Sequence, residues 1–130
     1  MDTRTKIMSL ERAAAELAAL AGNGRPVVTA AGWFDVLQAA HGERLAAAKQ
    51  DRAHLVVFVY DDGPRRKGLI EASSRAQMVA ALAVVDSVVI CDEAEAASLA
   101  ARSHLPPPLL IENAMPRDIV ADVIHRHQTE

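Results

Sequence analysis

The chain has 130 residues, 51% of them apolar and 24% charged, which is the composition of one folded domain with a real core. A formal net charge of −3 argues against a broad nucleic-acid surface, which needs a basic face, although a local basic cluster can still hold a small anion. The single cysteine, Cys91, excludes an intrachain disulfide and a Cys-rich zinc site.

The opening MDTRTKIMSL mixes charges and has no long apolar core, so it does not read as a secretory signal. No apolar run reaches the roughly 18–20 residues that span a bilayer. The expectation is a cytoplasmic protein with neither membrane nor nucleic-acid partner. Residues 9–20 read as a helix, with Leu10, Ala13, Ala14, Leu17 and Leu20 on one stripe. Gly22-Asn23-Gly24 ends it, because these residues tolerate the left-handed backbone of a helix terminus. Pro26 leads into residues 27–31, an apolar run suited to a buried strand. Residues 37–50 read as the next helix, with Leu37, Ala40, Leu45 and Ala48 inward.

His54–Tyr60 (HLVVFVY) is the clearest strand, nearly all apolar and rich in β-branched and aromatic residues, as a central parallel strand should be. A polar loop follows over residues 61–72 and carries Arg65-Arg66-Lys67. Ser74 and Gln77 have capping-box spacing, which predicts a helix from Ser74 to about Val84 with Met78, Val79, Leu82 and Val85 inward. Residues 88–91 read as a third strand and residues 93–103 as a helix stopped before three prolines. Residues 109–111 read as a fourth strand. Pro116 suits the first position of a last helix, whose apolar stripe is Ile119, Val120, Val123 and Ile124.

Strands alternating with helices predict an α/β fold. It is Rossmann-like and three-layered (α/β/α), with a short parallel sheet of about four strands preceded by an N-terminal helix. Residues 1–25 would pack on residues 26–130 as one structural unit. Ligands in such sheets bind beyond the carboxyl ends of the strands. Those ends fall at residues 31–35, 61–67, 91–93 and 112–113.

Two features at that edge suit phosphate. The first is the turn from strand to helix over residues 32–41, with His41 early in the helix. The second is the basic loop with Lys67. Each has a plain alternative: a surface histidine for His41, a solvated charge run for the loop. Asp61-Asp62 suits either a metal ion or a strand end, and Trp33 either a pocket mouth or the core. Cys91 reads as a small buried hydrophobe. His104, His125 and His127 lie at helix ends, where cations complement the dipole.

Residues 6–49, KIMSLERAAAELAALAGNGRPVVTAAGWFDVLQAAHGERLAAAK, resemble the opening of the cytidylyltransferase-like nucleotidyltransferases, the heptose-phosphate adenylyltransferase type above all. That family carries a G-x-F-D-x-L-H-x-G-H turn, and Gly32, Phe34, Asp35, Leu37 and His41 stand in its register. HLVVFVYDD is similar to its second strand, and residues 65–68 to its lysine-bearing loop, with Lys67 as the counterpart. Residues 73–90 are similar to its R-x-x-x-x-x-A-L-x-x-V-D-x-V-V segment through Arg75 and Asp86. The likeness covers residues 6–111.

The resemblance implies a phosphorylated acceptor attacking the α-phosphate of a nucleoside triphosphate, with loss of pyrophosphate. Positioning and neutralisation of charge do most of the work in such a reaction. It implies a nucleotide- or phosphate-binding set of Gly32, Trp33, Phe34, Asp35, Gln38, His41, Lys67 and Arg75. In an active member His41 and Lys67 would be catalytic, with Mg2+ accompanying the triphosphate. Departures sit where the chemistry happens. The first motif histidine is Gln38, the motif glycine is Ala40, and the lysine-glycine-glycine after the fourth strand reads Glu112-Asn113-Ala114. The leading expectation is therefore a degenerate member with impaired catalysis that retains weak binding of a nucleotide or sugar phosphate. The alternatives are an active adenylyl- or cytidylyltransferase and a non-catalytic module within a homo- or hetero-oligomer.

Overall fold

A computed structural model describes residues 2–49, 52–61 and 70–114. The described strands are β1 (Ile7–Met8), β2 (Val27–Gly32), β3 (His54–Tyr60), β4 (Ser87–Cys91) and β5 (Leu109–Leu110). They form one parallel sheet in the order β1-β4-β3-β2-β5. Four helices connect them: α1 (Leu10–Gly22), α2 (Ala39–Lys49), α3 (Ala72–Ala80) and α4 (Glu93–Arg102).

Side chains on β3 alternate between two cores, as strand geometry requires. Leu55, Val57 and Val59 pack with Leu45 of α2 and Ala76, Val79 and Ala80 of α3. Val56, Phe58 and Tyr60 pack with Ala13 and Leu17 of α1 and Ala96 and Leu99 of α4. The result is the expected Rossmann-like three-layer α/β/α arrangement. The abundant alanines on the inner helix faces allow close approach to the sheet.

The sheet has five strands rather than about four. Ile7 and Met8 pair with Val88 and Val89. The segment ahead of α1 is therefore a short edge strand, and α1 is the crossover from β1 to β2. Two residues are too few to show a period, so the sequence gives no strand signal there.

Helix α3 also differs from expectation. It begins at Ala72, its N-cap is Glu71, and no side chain caps it. Arg75 N–H already donates to Glu71 O at 3.0 Å, so the first helical turn closes before Ser74 can act as a cap. The helix ends at Ala80, short of Val84. α4 begins with a full capping box that the spacing reading passed over: Asp92 accepts from Glu95 N–H, and Glu95 accepts from Asp92 N–H. The strand expected over residues 109–111 is two residues long, because Ile111 opens a 3-10 turn, Ile111–Ala114. The last helix expected from Pro116, with His125 and His127, lies outside the described residues, as does the loop holding Lys67.

At the N-terminal ends of the strands, side chains tie the layers together. Asp86 accepts from Leu55 N–H at 2.8 Å and pairs with Lys49 at 3.1 Å. Burial pushes the Asp86 carboxyl up, but these hydrogen bonds outweigh it and hold it below the ordinary range. His54 Nε2 lies 2.7 Å from Glu16 and 2.8 Å from Ser87 Oγ, and Ser87 also hydrogen-bonds Glu16. Both partners share one imidazole nitrogen and Ser87 is buried, so this is a structural tie and not a nucleophile–base relay.

Candidate anion site at the first turn

The turn between β2 and α2 lies at the carboxyl edge of the sheet. Its backbone is shaped by Phe34, which holds φ at 52°, a left-handed conformation that is costly for a bulky residue. The Phe34 ring is fully buried and packs beside the His41 imidazole, with ring centroids 5.2 Å apart. The packed ring holds the turn in that conformation, and the amides of Trp33 and Phe34 face the same way. Successive N–H groups arranged so form a small anion-binding concavity.

A carboxylate of the same chain fills it. β5 lies beside β2, with Ala30 opposite Leu109 and Ala31 opposite Leu110. The 3-10 turn after β5 therefore carries Glu112 to the end of β2. Glu112 Oε1 accepts from Trp33 N–H at 2.6 Å, and Oε2 accepts from Phe34 N–H at 3.1 Å. His41 Nε2 lies 3.1 Å from Oε2. Gln38 N–H donates to His41 Nδ1 at 3.0 Å. That bond makes Nδ1 the acceptor nitrogen, so Nε2 carries the hydrogen and donates to Glu112. Burial pushes the Glu112 carboxyl up, but the His41 bond and the two amides outweigh it and hold the carboxyl below the usual range.

Gly32, the last residue of β2, makes room for this contact. A Cβ there would lie 3.0 Å from Glu112 Oε1 and 3.1 Å from the Phe34 ring. A close approach of this kind is a role for glycine.

Behind the turn stands Arg75, fully buried on α3. Its Nη1 donates to Trp33 O and Tyr60 O at 2.7 Å each, and its Nε donates to Ile70 O at 2.8 Å. Asp35, also buried, accepts from Ile70 N–H at 2.9 Å and lies 3.8 Å from the guanidinium. Asp35 and Arg75 together fasten the turn to the end of β3 and to the returning loop at Ile70. Trp33 stacks edge-on to Tyr60, with centroids 5.6 Å apart. Burial, with nearby Glu93, Cys91 and Glu112, pushes the Tyr60 phenol up to about 12.

Gly32, Trp33, Phe34, Asp35, Gln38, His41 and Arg75 thus come together around one turn. Gln38 takes part through its backbone. Lys67 lies outside the described residues. Glu112 is the participant that the sequence reading missed as a site residue. Its signal was the acidic residue standing where the family carries a lysine.

The donors that converge here are N–H groups, which suit an anion. Among the described residues no group of three or more His, Cys, Asp or Glu side chains is placed to hold a metal ion. Magnesium takes oxygen ligands, and the Glu112 carboxylate already accepts from three N–H groups.

A family model described as cytidylyltransferase-like matches residues 29–128. The bifunctional protein HldE of Geobacter metallireducens is 36% identical over 98 residues, covering 71% of this chain and 20% of that protein. The chain thus spans about a fifth of the length of that relative. The crystal structure of the lipopolysaccharide core biosynthesis protein from Thermoplasma volcanium aligns at a TM-score of 0.48 and 22% identity, covering 65% of this chain and 93% of that one. Among the described residues no helix is long and apolar enough to cross a membrane.

Proposed function

The chain belongs to the cytidylyltransferase-like family, and we propose that it is a member with impaired catalysis whose first turn retains weak affinity for the phosphate of a nucleotide or sugar phosphate. The observation that carries this reading is the position of Glu112. A phosphoryl ligand needs the N–H groups of Trp33, Phe34 and His41, and all three already serve an internal carboxylate. A fixed negative charge there also repels the ligand. Gln38 stands where the family has a histidine, so it cannot carry the charge that neutralises a transferring phosphoryl group. Loss of one such preorganised donor costs about 10²–10³ in rate. Arg75 acts in this reading as a positioning residue, since its Nε and Nη1 donate to backbone carbonyls of the turn and its neighbours.

The test is release of pyrophosphate from ATP or CTP in the presence of a panel of sugar phosphates. The expected rate lies far below the roughly 1–10³ s⁻¹ of ordinary enzymes. Turnover within that range, abolished by His41→Ala, would establish the active alternative, with Mg2+ accompanying the triphosphate.

A second reading, an interaction module, is favoured by Leu109 and Leu110. Among the described residues these are the large apolar side chains left exposed, 50% and 48% respectively, and β5 is one of the two edge strands of the described sheet. Sedimentation at micromolar protein tests it. A single monomeric species that is unchanged by Leu110→Lys would count against self-association.

A further inference from the structure

We infer that Glu112 is a built-in competitor for the anion site: its carboxylate and an external phosphoryl group bind the Trp33–Phe34 amides and His41 in mutually exclusive fashion. The inference rests on the reading of this turn as a phosphate site, and it adds the residue that decides whether the site is open.

The geometry is that of a bound ligand and not of a surface ion pair. The two carboxylate oxygens divide between two consecutive amides, one each, and the second also takes the imidazole hydrogen. Two oxygens of a phosphate group are similarly spaced and accept the same bonds. All three donors are N–H groups, so the site has no preference for carboxylate chemistry over phosphate chemistry beyond proximity. Proximity is what Glu112 supplies. It is tethered 71 residues from His41 in sequence but one strand away in space.

The plug is also built to leave. Its side chain is 29% exposed, so solvent reaches it while His41 beneath is 2% exposed. It sits in a four-residue 3-10 turn that follows a strand only two residues long. The cradle, by contrast, is fixed by the buried Phe34 ring and by Arg75. Rotation of one long side chain toward water therefore empties the site without disturbing its donors.

Competition of this kind lowers the apparent affinity for an external anion by the fraction of molecules in which the site is open. Trp33, the single tryptophan of the chain, lies in the turn and reports on it by fluorescence. The experiment titrates the full chain with inorganic pyrophosphate, reading Trp33 fluorescence, for the wild type, Glu112→Gln and Glu112→Ala. Circular dichroism checks that each variant is folded.

The expected result is affinity about tenfold or more higher in the variants, the factor that follows if Glu112 fills the turn in nine molecules of ten or more. The alanine variant should gain more than the glutamine variant, whose side-chain oxygen can still accept one amide. Glu43→Gln, which removes an exposed carboxylate from α2, should gain nothing. Adding His41→Ala to Glu112→Ala should cancel the gain. Folded Glu112 variants that bind no more tightly than the wild type overturn the inference. So does an equal gain in Glu43→Gln, or a gain that survives loss of His41, since either reveals a general charge effect. These outcomes are independent of the pyrophosphate-release assay, in which wild-type turnover would sink the functional reading instead.

Discussion

Arg75→Ala is the most direct test of what holds the first turn in shape. In the folded protein the guanidinium satisfies three backbone carbonyls, of Trp33, Tyr60 and Ile70, at 2.7–2.8 Å, and it is fully buried. Alanine leaves those acceptors without this donor and leaves the buried Asp35 carboxylate without the nearby positive charge. Each buried acceptor left unsatisfied costs about 1–3 kcal/mol. Water entering the vacated volume recovers part of that sum, so the expected loss is about 3–5 kcal/mol, the range for breaking a buried charged pair. That is a large share of the roughly 5–15 kcal/mol that stabilises a domain. Urea unfolding measures it as a lower midpoint at unchanged slope. Should the alanine variant fail to fold, Arg75→Lys gives a graded version. It keeps the charge but cannot reach three carbonyls from one fork, so it too should be destabilised. A loss below about 1 kcal/mol in either variant, with Trp33 fluorescence unchanged, would refute the role assigned to Arg75, since ordinary surface changes fall within about 0.5 kcal/mol.

Other consequences follow from the same contacts. The Glu112 carboxyl is held below its usual value of 4.5, so its contribution to stability is complete above that value and is lost as the pH falls through the lower folded value. Glu112→Gln should therefore unfold at lower urea than the wild type at neutral pH and lose less on acidification; identical slopes of stability against pH would contradict this. Gly32→Ala places a methyl 3.0 Å from Glu112 Oε1 and 3.1 Å from the packed Phe34 ring. The ring cannot give way as the flexible carboxylate can, so the variant should lose about 1–3 kcal/mol, only part of it recovered by adding Glu112→Ala in a double-mutant cycle. Cys91 is buried, and burial with nearby Glu95, Asp61 and Asp92 pushes its thiol up to about 12. It should not react with a thiol reagent at about pH 8 until the chain is unfolded, because the thiolate is the reactive form. Fast labelling of the native protein would show that the strand end is open.

The fold was legible wherever one element carried enough residues to show its period. His54–Tyr60 reads as a central strand because both of its faces are buried, and the structure packs them into two separate cores. The short edges were less legible. Ile7–Met8 joins the sheet through pairing with Val88 and Val89, a contact formed across some eighty positions that two residues cannot announce. The helix start at Ala72 was hidden by a local cap signal at Ser74. Tertiary demand won there, since burying Arg75 under the turn requires the preceding residues to be helical already. In the site, the residues of the G-x-F-D-x-L motif were readable one by one. What could not be read was the company they keep. Arg75 matched a family position, but only the structure places its donors on carbonyls behind the turn.

Glu112 bears on how the motif itself is understood. Gly32, Phe34 and His41 carry the family's signature, and in a catalyst each serves the ligand. Here each serves Glu112: Gly32 by leaving room, Phe34 by presenting its amide, His41 by donating from Nε2. A structural contact inside the chain is thus sufficient physical reason for all three residues to be present. The motif alone cannot separate a site kept for substrate from a site kept for the fold. Position 112 can, because an arrangement of three N–H donors is neutral about which anion it holds. An acidic residue there brings the anion along with the chain, at an effective concentration that a weakly held ligand in solution must outcompete. The decisive residue for this turn therefore lies outside the motif, at the end of the neighbouring strand.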